Sequence, residues 1–430
     1  MKLEINNKVF TDNTNELEDG YVFVKSKQNA KFEEIAKKSG YKIVDSSEVK
    51  NYFDMSSIKI IGITGTNGKT TTATTIYRIL LKLGFKVALQ GTRGVFINDK
   101  QIEEYSLTTP VQLGTFSNIQ KAIENHCDFF IMEVSSHAIE QNRIEGLDFA
   151  LKIHTNITRD HLDYHKTIEE YIRVKNLFLS DDSVKLINID DKNVVYNLKN
   201  AFTYSLNNDS DYKVKSYLFE KGMEVDFKYQ EKTYKFFSKM MGIFNIYNIM
   251  ASIAAVHITT QTKLEDICKV LEDLSFVSGR VEIVSLNPLV IVDFAHTPDG
   301  MQEVLKSFPN KEIICVFGAG GNRDKLKRPL MGEVAQKYSK HIIVTSDNPR
   351  FEEPKAIIED ILAGIKDKSN VIVEENRVEA LKKAIALASE KSVVLVLGKG
   401  DESTQIIGDK KFKFSDKDEV LKILYKSNKI

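Results

Sequence analysis

Cysteine is scarce in this chain: Cys127, Cys268 and Cys315 are the only three in 430 residues. They stand far apart, without the spacings that hold zinc or staple a small secreted domain, so the simple reading is a chain with reduced thiols. Net charge is missing too, with Lys plus Arg and Asp plus Glu at 60 each. That argues against a dedicated nucleic-acid binder, whose domain would be strongly basic, but leaves room for a local pocket that takes small anions. No apolar run approaches the roughly 20 residues a membrane span needs. The longest, such as Val393–Leu397, have the length of buried strands. The opening segment, MKLEINNKVF, lacks the apolar core of a signal peptide, and a cytoplasmic location is expected. There is no repeat, low-complexity tract or long Gly/Ser linker. What is present is 42% hydrophobic and 28% charged residues, the balance of a soluble chain with a sizeable core.

The pattern along the chain predicts three α/β units. Residues 1–56 read as a small N-terminal domain, with a strand at Tyr21–Val24 and a helix near Lys31–Ser39. From Ile58, short apolar runs alternate with helical stretches: Ile58–Thr64, Thr70–Leu83, Phe129–Val134, Ile168–Leu179. This is the signature of βαβ units on a parallel sheet, and it predicts a central domain over 57–278. Within it, residues 201–238 alternate with period two and predict antiparallel hairpins. A second series, at Leu289–Phe294, Ile313–Phe317, Ile342–Thr345, Val371–Val373 and Val393–Leu397, predicts a doubly wound, Rossmann-like domain over 279–430. A cleft between the two larger domains is the expected ligand site.

The strongest local signal is GITGTNGKTTT, Gly62 to Thr72, between an apolar strand and a helix-competent stretch. Glycines let the backbone curl its N–H groups inward, and the helix N-terminus adds positive potential for phosphate. Lys69 would reach the β- and γ-phosphates, and Thr70 would offer its hydroxyl to magnesium. The strict nucleotide-loop spacing is missed, because Ile63 stands where a further glycine belongs. Glu133 closes the next strand, at the end where ligands bind in this architecture, which makes it a candidate magnesium ligand. In TNITRDHLDYH, His161 and His165 are four apart and would share a face if helical; a histidine metal site is one reading, though nothing completes a zinc spacing. His126, His257 and His341 read as packed or surface residues. Lys175, on a predicted helix, reads as facing solvent.

Taken together and in order, GTNGKTT, LTTP (Leu107–Pro110), EVSSH, NITRDHLDYH followed by VKNLF, FNIYN, DFAHTPD, GNRDKLKRP, DNPRFEEP and GKGDE resemble the Mur ligases, from about Ile58 to Glu402. Within that family the chain is similar to the branch that adds meso-2,6-diaminopimelate to UDP-N-acetylmuramoyl-L-alanyl-D-glutamate. The resemblance implies a P-loop ATPase centre, ATP as cosubstrate, magnesium, an acyl-phosphate intermediate and a role in peptidoglycan precursor synthesis. The implied partners are small molecules, without nucleic acid or membrane insertion, and the expected state is a monomer.

Residue by residue, the resemblance places ATP on Gly65, Thr66, Asn67, Gly68, Lys69, Thr70 and Thr71. Asn245 and Asn248 would lie on the adenine side, with Arg280 and Asp293 contributing from the third domain. It implies magnesium on Thr70, Glu133 and His161, and carbamylation of Lys175 to an N6-carboxylysine, with Lys69, Glu133, His161 and Lys175 as the catalytic set. The UDP-precursor would contact Thr108, Thr109, Ser135, Gln141 and Arg143. The incoming amino acid would contact Arg323, Asn348, Pro349, Arg350, Gly398 and Glu402. Here the chemistry is explicit. Diaminopimelate differs from lysine by a carboxylate beside its far amine. Arg350 can grip that carboxylate in a fork, while Glu402 pairs with the ammonium. DNPR also reads as a turn before a helix starting at Pro354, which does not explain the arginine. The chain departs from the family in a short first domain without the usual uridine-binding serine pattern (Asn13–Asn15 stand near that place), in Phe294 where tyrosine is common, and in Asp401 where histidine is common.

Overall fold

A computed structural model describes residues 1–104, 107–219, 222–274 and 279–426. Among these residues the backbone carries three main sheets and a two-stranded ribbon. The first sheet has four strands, Lys2–Ile5, Lys8–Thr11, Val22–Lys25 and Lys42–Asp45, in that spatial order. The turn at Thr14–Glu16 is a single 3-10 turn, with the Asn13 side chain accepting from Asn15 N.

The central sheet has eleven strands, and its pivot is Lys59–Thr64. That strand pairs in parallel with Phe129–Val134 on one side and Phe149–His154 on the other. Both neighbours are almost wholly buried, as expected of parallel strands covered on both faces. The chain leaves the pivot at its carboxyl end and enters the helix Lys69–Lys82. Chain order reverses about this strand, so the crevice opens beside its carboxyl end. The helix Ile243–Thr260 is, among the described residues, the one long and apolar enough to cross a membrane; 67% of it is buried, packed on the Lys69–Lys82 helix. A helix apolar on all sides is here a core helix.

The expectation of hairpins over 201–238 is corrected at its start. Ala201–Ser205 pairs in parallel with Lys185–Asn188 and extends the central sheet. Antiparallel pairing begins only with Tyr212–Phe219, Met223–Tyr229 and Lys232–Ser238. Alternation reports one covered face, not strand direction. The tip of the first hairpin, 220–221, and the expected domain boundary at 278 lie outside the described residues.

The third sheet runs Glu282–Leu286, Leu289–Asp293, Ser392–Leu397, Glu312–Phe317, His341–Val344, Val371–Val373. Only the first pair is antiparallel. Asp293, Asp347 and Gly398 therefore emerge at one rim, and this rim faces the carboxyl edge of the central sheet across a shared cavity.

Candidate active site

The cavity between the two sheets measures about 600 Å3. From the central side it is lined by Thr66, Asn67, Gly68, Lys69, Thr70, Thr71, Thr108, Glu133, His161 and Asn248. From the other side come Arg280, Asp293, Arg323, Asn348, Arg350, Gly398 and Glu402. Two motif groups far apart in sequence thus share one space.

The phosphate loop is fixed from beneath. Gly65 has φ 152° and lies so close to Thr155 that a Cβ would fall 1.8 Å from its Oγ1. Gly68, at φ 87°, opens the helix, and a Cβ there would fall 2.3 Å from Asn248 Oδ1. Only glycine meets both the left-handed backbone and the crowding. Asn67 N donates to Asn156 Oδ1 at 3.0 Å. Lys69 Nζ donates to Gly65 O (2.7 Å) and Thr66 O (2.9 Å). Burial pushes its ammonium down from the usual lysine range, opposed by Glu133 and Asp160.

Glu133 is 2% exposed, and its oxygens accept from Thr70 Oγ1 (3.0 Å), Thr92 N (2.9 Å) and Thr92 Oγ1 (3.3 Å). Thr92, which sequence reasoning passed over, follows the strand Val87–Gly91 and also meets Thr108 Oγ1 at 3.1 Å. The strand-end rule that singled out Glu133 points to it equally. His161 is left-handed (φ 53°) and precedes one turn of helix, Leu162–His165. Its ring and that of His165 pack on the same side, both against His137 (ring centres 5.0 and 5.6 Å) and Tyr171 (6.4 and 5.3 Å), as their spacing leads one to expect, and His165 Nε2 also meets Ser136 Oγ at 2.9 Å. Burial, helped by neighbouring His137, Lys69 and Lys175, outweighs Asp160 and lowers His161 to about 4. Its ring is neutral at neutral pH, with a lone pair for a metal. Among the described residues no group of three His, Cys, Asp or Glu side chains converges as a closed metal cage.

Lys175 corrects the expectation of a solvent-facing residue. It is 1% exposed, with Nζ donating to Gly65 O at 2.9 Å. Burial, reinforced by Lys69, lowers its pKa well below the usual lysine value. Its helix lies under the loop, so the face that a ten-residue helical pattern cannot assign is the inner one.

The remaining expected residues divide. Asn245 is buried behind Asn248, accepting from its Nδ2 (3.0 Å) and donating to Met241 O (2.8 Å), and does not line the cavity. Asp293 accepts from Val281 N and Ala295 N at 2.8 and 2.7 Å. Arg280 stacks on Phe294, 4.2 Å from the ring centre, and reaches Thr70 Oγ1 at 3.4 Å. A phenyl ring provides that stacking surface without a hydroxyl. Asp401 receives Arg93 Nε at 2.8 Å and ties the third unit to the turn after Val87–Gly91. Thr109 and Ser135 lie side by side (Oγ–Oγ 3.3 Å), and Arg143 donates to Thr109 O (2.7 Å) and to Gln141 Oε1. Gln141 and Arg143 line a separate, small crevice with Asp12, Ser26 and Gln28 of the first unit.

On the third-unit rim, Arg350 is held at φ 52° with Nη1 on Gly321 O (2.9 Å). Burial and neighbouring Arg323 push its pKa down, the condition of two cations awaiting an anion. Pro349 is buried beside it. Lys399, absent from the expected set, is fully buried and donates to Glu402 Oε2 (2.8 Å) and Asn348 Oδ1 (3.1 Å). Asn348 Nδ2 in turn donates to Glu402 Oε2 at 2.9 Å. Glu402 thus already has a cation, and its Oε1 is what remains for a ligand.

Residues 63–256 match the Mur ligase middle domain family, and residues 279–400 the Mur ligase, glutamate ligase domain family. The UDP-N-acetylmuramoyl-L-alanyl-D-glutamate--2,6-diaminopimelate ligase of Wolinella succinogenes is 47% identical over 96% of this chain and 95% of its own length. The ligase of the same name from Helicobacter pylori is 49% identical, with 96% and 95% covered. A solved structure bearing that ligase name superposes with TM-score 0.68 at 28% identity, covering 97% of this chain and 95% of that one. A folylpolyglutamate synthase of Mycobacterium tuberculosis, at 16% identity, TM-score 0.64 and coverage of 80% and 88%, shares the fold.

Proposed function

The chain belongs to the Mur ligase family, and on that premise we propose that its cavity joins meso-2,6-diaminopimelate to UDP-N-acetylmuramoyl-L-alanyl-D-glutamate, with cleavage of ATP to ADP and phosphate. The observation that carries this is the shared cavity. A phosphate loop on one wall faces an arginine-rich, carboxylate-bearing amino-acid pocket on the other. ATP lies on Gly65–Thr71, with Arg280 above it. One of the two free D-glutamyl carboxylates of the precursor attacks the γ-phosphate, and the amine of diaminopimelate then displaces phosphate from the acyl phosphate. Positioning and charge stabilisation accomplish both steps, so no protein nucleophile is needed.

Magnesium fits the donors present. Thr70 Oγ1 and Glu133 Oε2, 3.0 Å apart beside the loop, are hard oxygens, and this ion takes few protein ligands. Thr70, Glu133 and the neutral His161 would hold it, and it would neutralise phosphate charge. Burial, reinforced by Lys69, lowers the Lys175 pKa well below the usual lysine value, which favours the unprotonated amine that adds to carbon dioxide. The resulting N6-carboxylysine would place an anion between Gly65 and Lys69. The precursor would lie along Thr108, Thr109 and Ser135 toward Gln141 and Arg143. Lys399 holds Asn348 and Glu402 in register for the amino acid, with Arg350 and Arg323 gripping its far carboxylate.

Purified protein given ATP and the UDP-dipeptide is predicted to release phosphate and gain the mass of one diaminopimelate when that amino acid is added, and to turn over L-lysine far more slowly. Equal rates with both, or none with either, would reject the assignment. A pocket whose buried polar groups go unpaired with the wrong substrate discriminates by about 10⁴-fold or more.

A further inference from the structure

Lys327 is a buried charge that none of these roles uses. It is the first residue of the helix Lys327–Tyr338 in the third unit, is 8% exposed, and lines the cavity. The cations around it are matched: Lys325 lies 3.1 Å from Glu352, and Arg328 lies 3.0 Å from Glu352 and 2.8 Å from Asp360. Among the described residues, no hydrogen bond or ion pair within 4.0 Å engages the Lys327 ammonium. The titratable groups that sense it, Asp160 and His296, also line the cavity.

A buried ammonium without a partner is unfavourable unless an anion arrives to meet it. The other cations of the cavity are already engaged. Lys69 rests on the loop carbonyls of Gly65 and Thr66, and Arg280 is stacked on Phe294. Arg323 and Arg350 face the amino-acid pocket. Among the described residues, Lys327 is the unengaged cation on the wall opposite the phosphate loop.

We propose that Lys327 is a catalytic residue that binds the phosphoryl oxygens of the acyl phosphate and stays with the phosphate as it leaves. The proposal rests on the ligase reading above. In the first step a carboxylate oxygen bonds to the γ-phosphorus, and the bond from that phosphorus to the β,γ-bridging oxygen breaks, its electron pair leaving with ADP. In the second the amine nitrogen bonds to the acyl carbon. The bond from that carbon to the phosphate oxygen breaks, its electron pair leaves with phosphate, and the amine proton passes to solvent. Lys327 keeps its own proton throughout. Its charge offsets the phosphate in both steps, from a direction Lys69 does not cover.

The test uses the full chain with ATP, the UDP-dipeptide and diaminopimelate, comparing wild type with Lys327→Met and Lys327→Gln. The expected result is a fall in kcat of about a hundredfold or more, with KM for diaminopimelate within about threefold of wild type. Inhibition by added inorganic phosphate should weaken by about tenfold, a change that loss of a purely structural lysine would not bring. If the methionine variant does not fold, the glutamine variant carries the test. A folded variant within about threefold of wild-type kcat, or one whose loss lies in KM for diaminopimelate with phosphate inhibition unchanged, overturns the proposal. A wild-type protein that does not ligate rejects the ligase reading instead, so the two failures are told apart.

Discussion

Replacing Lys69 by alanine is expected to lower ligation on the order of a thousandfold or more, with precursor binding nearly intact. The side chain springs from the first turn of the Lys69–Lys82 helix and now caps the carbonyls of Gly65 and Thr66. Those contacts are ones a triphosphate can outbid, because charge-assisted bonds to phosphate are roughly twice as strong as neutral ones. The carboxylate and the γ-phosphate are both anions, and their approach is the main obstacle to the first step. A cation beside the loop removes that obstacle only if it is present in the transition state, so the loss falls on kcat. Steady-state phosphate release checks this, alongside precursor affinity by calorimetry. A variant that keeps a tenth of wild-type turnover would mean that charge at the loop is supplied elsewhere.

Arg350→Ala is expected to raise KM for diaminopimelate by about a hundredfold while changing L-lysine turnover little. Two charge-assisted hydrogen bonds to a carboxylate contribute about 1.5–3 kcal/mol each, and 1.4 kcal/mol is tenfold. Only Nη1 of Arg350 is committed to backbone, at Gly321 O and Asn348 O. Among the described residues, Nε and Nη2 remain available for a fork. Lysine lacks the carboxylate that the fork would grip, so it has little to lose. Competition between the two amino acids, read by product mass, measures the change directly. Parallel losses for both would place Arg350 in the scaffold of the pocket.

What the sequence disclosed, and what it hid, follows from range. The pivot strand and phosphate loop were legible because an apolar run, glycines and a helix-competent stretch lie next to one another. Glu133 was legible because a carboxylate ending a parallel strand has one place to point. Lys175 was not: ten helical residues with mixed faces do not say which face meets Gly65. Lys327, Lys399 and Asp160 sit in charged runs whose inward members are chosen only by tertiary contact. The strand Ala201–Ser205 pairs in parallel because of a partner at 185–188, a choice that period-two alternation does not encode. His161 and His165 were legible as neighbours from their spacing of four, and both pack on His137.

The central claim is that a triphosphate and a carboxylate meet directly in this cavity. Heavy oxygen placed in both free carboxylates of the D-glutamyl residue of the UDP-dipeptide tests it. After one round of ligation with ATP and diaminopimelate, the released inorganic phosphate should carry one labelled oxygen, left behind when the amine displaces the acyl phosphate. Unlabelled phosphate, with every label retained in the precursor and product, would contradict the account.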